Sequence, residues 1–179
     1  MILALYERPD GVETADGNRA VYDLERAEAH FGAARIGSHA LVWELGEQPG
    51  PGAAVAAPVE LDARTEWLMR CDRVDFPPGG IAYRHTHPGP GIRYLLHGSI
   101  RIESGGESKL YGPLEPWFES GPDPVLALAS DTDETAFVRV MLLPREWAGK
   151  RTIRYVDSAD EAKPKRQQAT VFFDQPIDL

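Results

Sequence analysis

The chain has 179 residues, of which 42% are hydrophobic and 26% charged, which is typical of a globular protein with one core. Its net charge of −9 argues against nonspecific binding to nucleic acid or anionic membranes, because both need clustered lysine and arginine. The 15 prolines and 17 glycines interrupt short apolar runs, which favours an all-β chain over a helical bundle.

The termini and the cysteine content indicate where the protein functions. The first apolar run is too short for a secretory signal, and no segment approaches the roughly 18 to 20 apolar residues of a membrane span. Cys71 is the only cysteine, so no internal disulfide forms, and we interpret it as a small buried apolar side chain. We therefore expect a cytoplasmic protein without nucleic-acid or membrane partners.

The N-terminal region, residues 1–64, is predicted to be an extension that packs on the rest of the chain. Four apolar residues recur at helical spacing between Asn18, a helix cap, and Gly32, a helix stop, and they predict an amphipathic helix over residues 19–31. These are Ala20, Leu24, Ala27 and Phe31. An apolar strand at Leu41–Trp43 and a loop rich in proline and glycine follow.

Residues 65–144 contain short apolar segments separated by turn residues. The predicted strands are Thr65–Phe76, Ile92–Leu96, Ser99–Glu103, Leu110–Gly112, Val125–Ala129 and Ala136–Pro144. Strands at this spacing predict a β-sandwich or a jelly-roll barrel. The C-terminal extension, residues 145–179, adds a brief helix beginning at Ser158, with Glu161 completing a capping box. Its late strand, Ala169–Phe173, would pair with the barrel edge or with a second subunit.

Two of the five histidines, His85 and His87, are separated by one residue. Proline and glycine on both sides exclude a helix, so the pair belongs to an extended segment that ends in a tight turn. Side chains two residues apart in a strand point the same way, so both imidazoles can reach one metal ion.

This segment resembles the first motif of the cupin superfamily, which is Gly, five residues, His-x-His, three or four residues, Glu, six residues, Gly. Gly79 or Gly80 opens the motif, His85 and His87 carry the pair, and Gly98 closes it. The family's glutamate falls at Gly91. The resemblance implies an all-β, jelly-roll barrel with a metal ion near its mouth and a homodimer.

The family's second motif, which supplies another histidine, is degenerate at residues 112–125. Glu119 is our choice for the missing ligand, which would complete a site of His85, His87 and Glu119, with Asp123 and His97 as alternatives. The residues expected to line a substrate pocket include Tyr83, Arg93, Arg101 and Trp117, with Tyr94 and Arg139 as further candidates. An inward-facing arginine would indicate an anionic small-molecule ligand.

These residues predict a metal-dependent enzyme that acts on a small molecule. One divalent ion, Fe, Mn, Zn or Ni, would bind to the two histidines and the carboxylate and leave positions open for substrate. A dioxygenase-like oxidoreductase is favoured because such a site suits Fe(II), and an isomerase or cyclase is the alternative. A barrel that binds a small ligand without catalysis, or one with no ligand at all, is the hypothesis from a different class.

Overall fold

The computed structural model describes residues 1–179 and contains seventeen β-strands and two short 3₁₀ helices. The first seven strands are β1 (Ile2–Arg8), β2 (Val12–Thr14), β3 (Arg19–Asp23), β4 (Glu28–Phe31), β5 (Ala34–Ile36), β6 (Ala40–Gly46) and β7 (Val55–Pro58). The other ten are β8 (Trp67–Phe76), β9 (Ile81–Thr86), β10 (Gly91–His97), β11 (Ile100–Ser104), β12 (Glu107–Tyr111), β13 (Pro116–Glu119), β14 (Val125–Ala129), β15 (Thr135–Pro144), β16 (Arg154–Tyr155) and β17 (Gln168–Ile177). The 3₁₀ helices are Arg145–Trp147 and Ser158–Ala162.

Three five-stranded antiparallel sheets make up most of the fold. The N-terminal sheet has the strand order β4-β3-β6-β1-β7, and β2 pairs with β5 beside it. The central sheet has the order β13-β10-β15-β8-β17, and the distal sheet has the order β12-β11-β14-β9-β16. Most consecutive strands from β8 to β15 alternate between the central and distal sheets, which is the arrangement of a double-sheet jelly roll. The fold is therefore all-β, as the sequence predicts.

The helix predicted over residues 19–31 is wrong, because this segment forms the hairpin of β3 and β4. Ala20 and Tyr22 pack into the core between the N-terminal and central sheets, whereas Val21 packs on the opposite side of its sheet. The period of the buried side chains is therefore two, and the apolar residues at helical spacing belong to two strands and the turn between them.

The turn of this hairpin is organised by the carboxylate of Asp23. Its Oδ1 accepts hydrogen bonds from the backbone N–H groups of Glu25 and Arg26, and from the hydroxyl of Ser38. Ala27 then takes a left-handed conformation, with φ of 53°. A local side-chain to backbone hydrogen bond of this kind competes with helix formation, which explains why the helical spacing is misleading here.

The largest core lies between the N-terminal sheet and one face of the central sheet. The central sheet contributes alternate residues of β8, β10 and β15 to this core, among them Met69, Ile92 and Val140, all fully buried. Trp43 of β6 is also fully buried, and its Nε1–H donates a hydrogen bond to the backbone oxygen of Ile92, at 3.2 Å. This core leaves the opposite face of the central sheet turned toward the distal sheet.

The C-terminal residues complete the edges of both barrel sheets. β17 pairs with β8 along its whole length, and β16 pairs with β9, so the late strand lies at the barrel edge of its own chain. The brief helix predicted at Ser158 is a 3₁₀ helix, and Asp157 caps it by accepting a hydrogen bond from Ala159 N. None of the helices has the length and apolar character needed to cross a membrane.

A charged cavity inside the barrel

A cavity of about 400 Å³ lies between the central and distal sheets. One part of its wall is apolar and includes Val74, Phe76, Trp117 and Phe137. Segments 149–153 and 165–171, which follow β15 in the chain, supply further lining residues. A cavity of this size with a mixed apolar and polar wall is typical of a site for a small organic molecule.

One part of the polar wall comes from two adjacent rows of residues across the central sheet. The first row brings Trp117, Arg93, Arg139 and Asp72 side by side on four neighbouring strands. The second row lies two residues away from the first on each strand and consists of Glu119, Gly91, Met141 and Arg70. Asp174 of β17 extends this row, because it is the residue paired with Arg70 after the register shift in β17. We call the charged members of these rows the charged band: Arg70, Asp72, Arg93, Glu119, Arg139 and Asp174.

Each arginine of the charged band is paired with a carboxylate on a neighbouring strand. Arg139 binds Asp72 through two hydrogen bonds, Nε to Oδ1 at 2.6 Å and Nη2 to Oδ2 at 3.2 Å. Arg70 binds Asp174 in the same way, at 2.5 and 2.6 Å. Two parallel hydrogen bonds fix the guanidinium plane, so these groups are rigid parts of the cavity.

The third pair joins Arg93 and Glu119. Arg93 Nη2 lies 2.7 Å from Glu119 Oε2, and Trp117 Nε1 donates to the other carboxylate oxygen at 2.8 Å. Both oxygens of Glu119 therefore have partners. The complete burial of Arg93 lowers its pKa to about 10, and Glu119 opposes this shift. The guanidinium nevertheless remains protonated at neutral pH.

The two histidines face the charged band from the distal sheet. His85 lies on β9 and His87 directly follows that strand; their rings are 4.9 Å apart, at 81° to each other. His85 Nδ1 lies 2.7 Å from the Tyr83 carbonyl oxygen, and since that oxygen can only accept, Nδ1 carries the proton. His85 Nε2 is left as an acceptor.

Arg139 also contacts His87, with Nη1 at 3.3 Å from Nε2. A guanidinium can only donate, so Nε2 of His87 accepts and Nδ1 carries the proton. That Nδ1 is buried and has no partner in hydrogen-bond geometry. Burial lowers the pKa of His87 well below its usual value, and the positive charges of Arg139 and Arg93 add to the shift. His87 is therefore neutral at pH 7.

The contacts of His85, His87 and Glu119 show whether these side chains could bind the predicted metal ion. No group of three or more His, Cys, Asp or Glu side chains in the chain is arranged to hold a metal. Glu119 is held by Arg93 and Trp117, and the lone pair of His87 Nε2 is directed at Arg139. In this arrangement the three side chains do not fit a metal centre, and the ligand set of His85, His87 and Glu119 stays a prediction.

Comparisons with known proteins give partial matches to solved structures alone. No family model matches the chain, and no curated protein matches it. An RmlC-like cupin from Shewanella frigidimarina aligns with 18% identity over 44% of this chain and 69% of its own, with a TM-score of 0.40. The polyketide cyclase RemF from Streptomyces resistomycificus aligns with 19% identity over 52% of this chain and 62% of its own, with a TM-score of 0.41. A sugar phosphate isomerase of the cupin superfamily from Silicibacter pomeroyi aligns with 17% identity over 41% of this chain and 50% of its own, with a TM-score of 0.36.

This chain thus spans between half and about two thirds of the length of these three proteins. Cupins are among the solved structures that resemble it. The chain's own residues form a jelly roll of β8–β15 that carries the His-x-His pair at its inner face.

The position where the cupin motif has glutamate is occupied by Gly91, and the packing explains this difference. A Cβ atom on Gly91 would lie 2.4 Å from the Val140 carbonyl oxygen, 2.9 Å from Met141 Cγ and 3.1 Å from Arg93 Nη1. Arg93 Nη1 also donates to the Gly91 carbonyl oxygen, at 2.7 Å. The Arg93 guanidinium therefore fills the space beside Gly91 that a side chain at that position would need.

Two residues predicted to bind substrate lie outside the cavity. Arg101 is exposed on the outer face of the distal sheet, because its strand neighbours Ile100 and Ile102 point inward. Tyr83 lies on the outer side of β9, where the Lys163 amine is 4.6 Å from its ring. Tyr94, a further candidate, also lies outside the cavity, in the core on the other face of the central sheet. Trp117 and Arg139 line the cavity, and Arg93 lies behind Glu119.

The alternative ligands also lie away from the histidine pair. Asp123 is in an exposed turn and accepts a hydrogen bond from Ser120 Oγ, at 2.7 Å. His97 is exposed at the end of β10, where its Nδ1 lies 3.1 Å from the Glu134 carbonyl oxygen. The strand leaving the pair has a register shift between Leu95 and His97, which ends the alternation that would have directed His97 inward.

Sequence reasoning missed Arg70 and Asp72, which the structure places in the cavity wall. A signal was present, because they alternate with the apolar Met69 and Cys71 in the first part of β8. Charged residues at every second position of such a strand indicate a second face that is buried and paired. Cys71 itself is buried, as expected, and burial raises its pKa.

Proposed function

We propose that this chain binds a small organic acid in the barrel cavity. The observation that carries the proposal is the charge of the lining residues. Five of them are cationic and two are carboxylates, a surplus of three positive charges in a chain with a net charge of −9: Arg70, Arg139, Lys150, Arg151 and Lys165 against Asp72 and Glu119. The buried arginines balance the two carboxylates, so the surplus comes from Lys165 and from the exposed Lys150 and Arg151. A cleft lined mainly by positive charge favours an anionic ligand.

The apolar part of the wall supports an acid with a hydrophobic body. Phe137 lies next to Arg139 on the inward face of β15, and Val74 lies next to Asp72 on β8. The apolar wall and the charged band are therefore adjacent along the same strands. An aromatic or branched aliphatic acid would place its body against Phe137 and its carboxylate at the charged band.

Calorimetric titration and thermal shift with matched compounds test this proposal. We expect aromatic and branched aliphatic carboxylates to bind and raise the melting temperature, whereas their amides and alcohols, which lack the negative charge, bind at least about tenfold more weakly. Equal binding of acids and amides, or no binding by any acid, would contradict the proposal.

A pair of variants on one strand shows whether binding occurs in the cavity. Ala127 on β14 lines the cavity, whereas Leu128 lines a shallow depression on the outer face. Ala127→Phe should fill the cavity and abolish acid binding, and Leu128→Phe should leave it unchanged. Binding that survives Ala127→Phe in the folded protein would place the ligand elsewhere.

A metal-dependent enzyme is the second candidate, with a dioxygenase favoured over an isomerase or cyclase as in the sequence analysis. The observation that favours it is the pair of neutral imidazoles facing each other 4.9 Å apart. This candidate requires the Arg139 side chain to leave His87 Nε2, so it and the metal-free site inferred below exclude each other. Stoichiometric Fe, Mn, Zn or Ni in the purified protein, lost in His85→Ala, would support this candidate. The homodimer and the cytoplasmic location remain proposals, tested by light scattering and cell fractionation.

A further inference from the structure

The Arg139 guanidinium lies beside His87 at a position where a bound cation would otherwise contact the imidazole. His87 Nε2 is the nitrogen that points into the charged band, and the donor at 3.3 Å from it is a guanidinium N–H. The same guanidinium is fixed on its other side by both oxygens of Asp72. One positively charged group thus lies between an imidazole nitrogen and a buried carboxylate, which are the donor types that bind divalent metals.

A second guanidinium group, that of Arg93, lies beside Gly91 and Glu119. The cupin motif places a carboxylate at this position, and here the side chain is absent and the guanidinium of Arg93 fills the adjacent space. The carboxylate that is present, Glu119, comes from the neighbouring strand and is neutralised by Arg93. Two separate guanidinium groups therefore act at this site, since Arg139 contacts His87 and Arg93 neutralises Glu119.

We propose that the guanidinium groups of Arg139 and Arg93 replace the metal ion of a cupin-like barrel, so that this site is built to work without a metal. Arg139 supplies the fixed positive charge beside His87, and Arg93 neutralises the remaining carboxylate. The ligand class rests on the function proposed above: the carboxylate of an organic acid binds the N–H groups of Arg139 that Asp72 and His87 leave free.

The hydrogen-bond capacity of Arg139 supports this role. A guanidinium has five N–H groups, and three contacts engage it here: two with Asp72 and one with His87. Arg139 is 8% exposed and lines the cavity, so its remaining donors can reach a ligand there. A rigid guanidinium binds a carboxylate through directed hydrogen bonds, as a metal would through coordination.

The first test is calorimetric titration of chelator-treated wild-type protein with Zn²⁺ and Ni²⁺, without any organic acid. We expect no stoichiometric binding, because Arg139 occupies the approach to His87 Nε2. Tight binding of one ion per chain that disappears in His87→Ala would overturn the proposal. Since no acid is present, failure of the function proposed above would not affect this result.

The second test removes the guanidinium. Arg139→Ala exposes His87 Nε2 to the carboxylate of Asp72, so we expect this variant to gain binding of one Ni²⁺ or Zn²⁺, and Arg139→Ala combined with His87→Ala to lose it again. Arg139→Lys keeps a positive charge at the position and should bind no metal. A folded Arg139→Ala protein that binds no metal would overturn the proposal.

Removal of Arg139 leaves Asp72 buried without its partner, so each variant is first checked by circular dichroism and thermal melting. If Arg139→Ala does not fold, Arg139→Gln takes its place in the titration, because it keeps most of the volume without the charge. For the wild type, the affinity for a bound organic acid should change less than about twofold after treatment with chelator. A loss of acid binding that added metal restores would overturn the proposal.

Discussion

The two faces of the central sheet are built from the same strands, and they differ in chemistry because the face toward the distal sheet combines apolar residues with the charged band. The face toward the N-terminal sheet is apolar and is covered by Trp43, Leu5 and their neighbours. The face toward the distal sheet carries three arginines and their carboxylate partners around a cavity. Alternate residues of β8 show the contrast directly, because Met69 and Cys71 point one way and Arg70 and Asp72 the other.

This difference indicates a division between stability and function. Burial of apolar side chains stabilises the fold by roughly 25 cal/mol per Å², without requiring exact partners. Buried ion pairs contribute little net stability, because the cost of desolvating the charges offsets their attraction. The apolar face therefore holds the N-terminal sheet to the barrel, a second apolar cluster that includes Phe76, Leu95 and Phe137 holds the central and distal sheets together, and the charged band is available for what binds in the cavity.

The largest effect should come from the apolar face. Trp43→Ala leaves a cavity in the core and removes one hydrogen bond to the Ile92 carbonyl, so we expect about 5 kcal/mol loss in the free energy of unfolding. Urea denaturation measures this loss. Leu110→Ala, at a position that is 55% exposed, is the control and should cost less than about 0.5 kcal/mol. If the two variants were equally stable, the apolar face would not be the main source of stability.

A smaller effect should follow from breaking one pair of the charged face. Asp72→Ala leaves the Arg139 guanidinium buried without its carboxylate, and we expect a loss of about 3 kcal/mol. The double variant Asp72→Leu with Arg139→Met replaces the pair by apolar groups and should regain most of that stability while losing acid binding. Denaturation and calorimetry measure both properties. A double variant less stable than the single one would show that the pair itself stabilises the fold.

The smallest loss of stability should come from breaking the ion pair of Arg70 and Asp174, and it should depend on pH. Burial opposes ionisation of Asp174, but hydrogen bonds from Arg70 and Gly149 outweigh it and lower the pKa of this carboxyl. The stabilisation is therefore present above the unfolded-state pKa of about 3.9 and is lost as pH falls through the lower folded-state value.

Asp174→Asn tests this expectation by urea denaturation between pH 7 and pH 3. We expect the variant to be less stable than the wild type by about 2 kcal/mol at pH 7, and the difference to shrink toward pH 3. Gln175→Asn, on the same strand, is the control. A difference that stayed constant over this range would mean that the Asp174 charge is not the source of the effect.

The barrel strands could be predicted from the sequence because turn residues separate short apolar runs, and the local pattern of each run indicates a strand. The hairpin at residues 19–31 could not, since apolar residues from two strands and a turn happened to fall at helical spacing. The turn that decides this segment depends on Asp23 and Ser38, and Ser38 belongs to a later part of the chain.

The candidate site was also only partly predictable from the sequence. His85 and His87 were selected because alternation places both rings on one side, and both do line the cavity. The partner of Glu119 was not foreseeable, since Arg93 reaches it from a neighbouring strand and depends on the space left by Gly91. Local spacing contains no information about which strands become neighbours.

The sequence by itself determined an acidic, all-β chain and the common orientation of His85 and His87, because these follow from composition and from the two-residue repeat of a strand. Only the tertiary structure decided what surrounds the two rings. Strand pairing put Arg139 beside Asp72, packing of the two sheets put it against His87, and the energy of a buried charge depends on the groups packed against it in space.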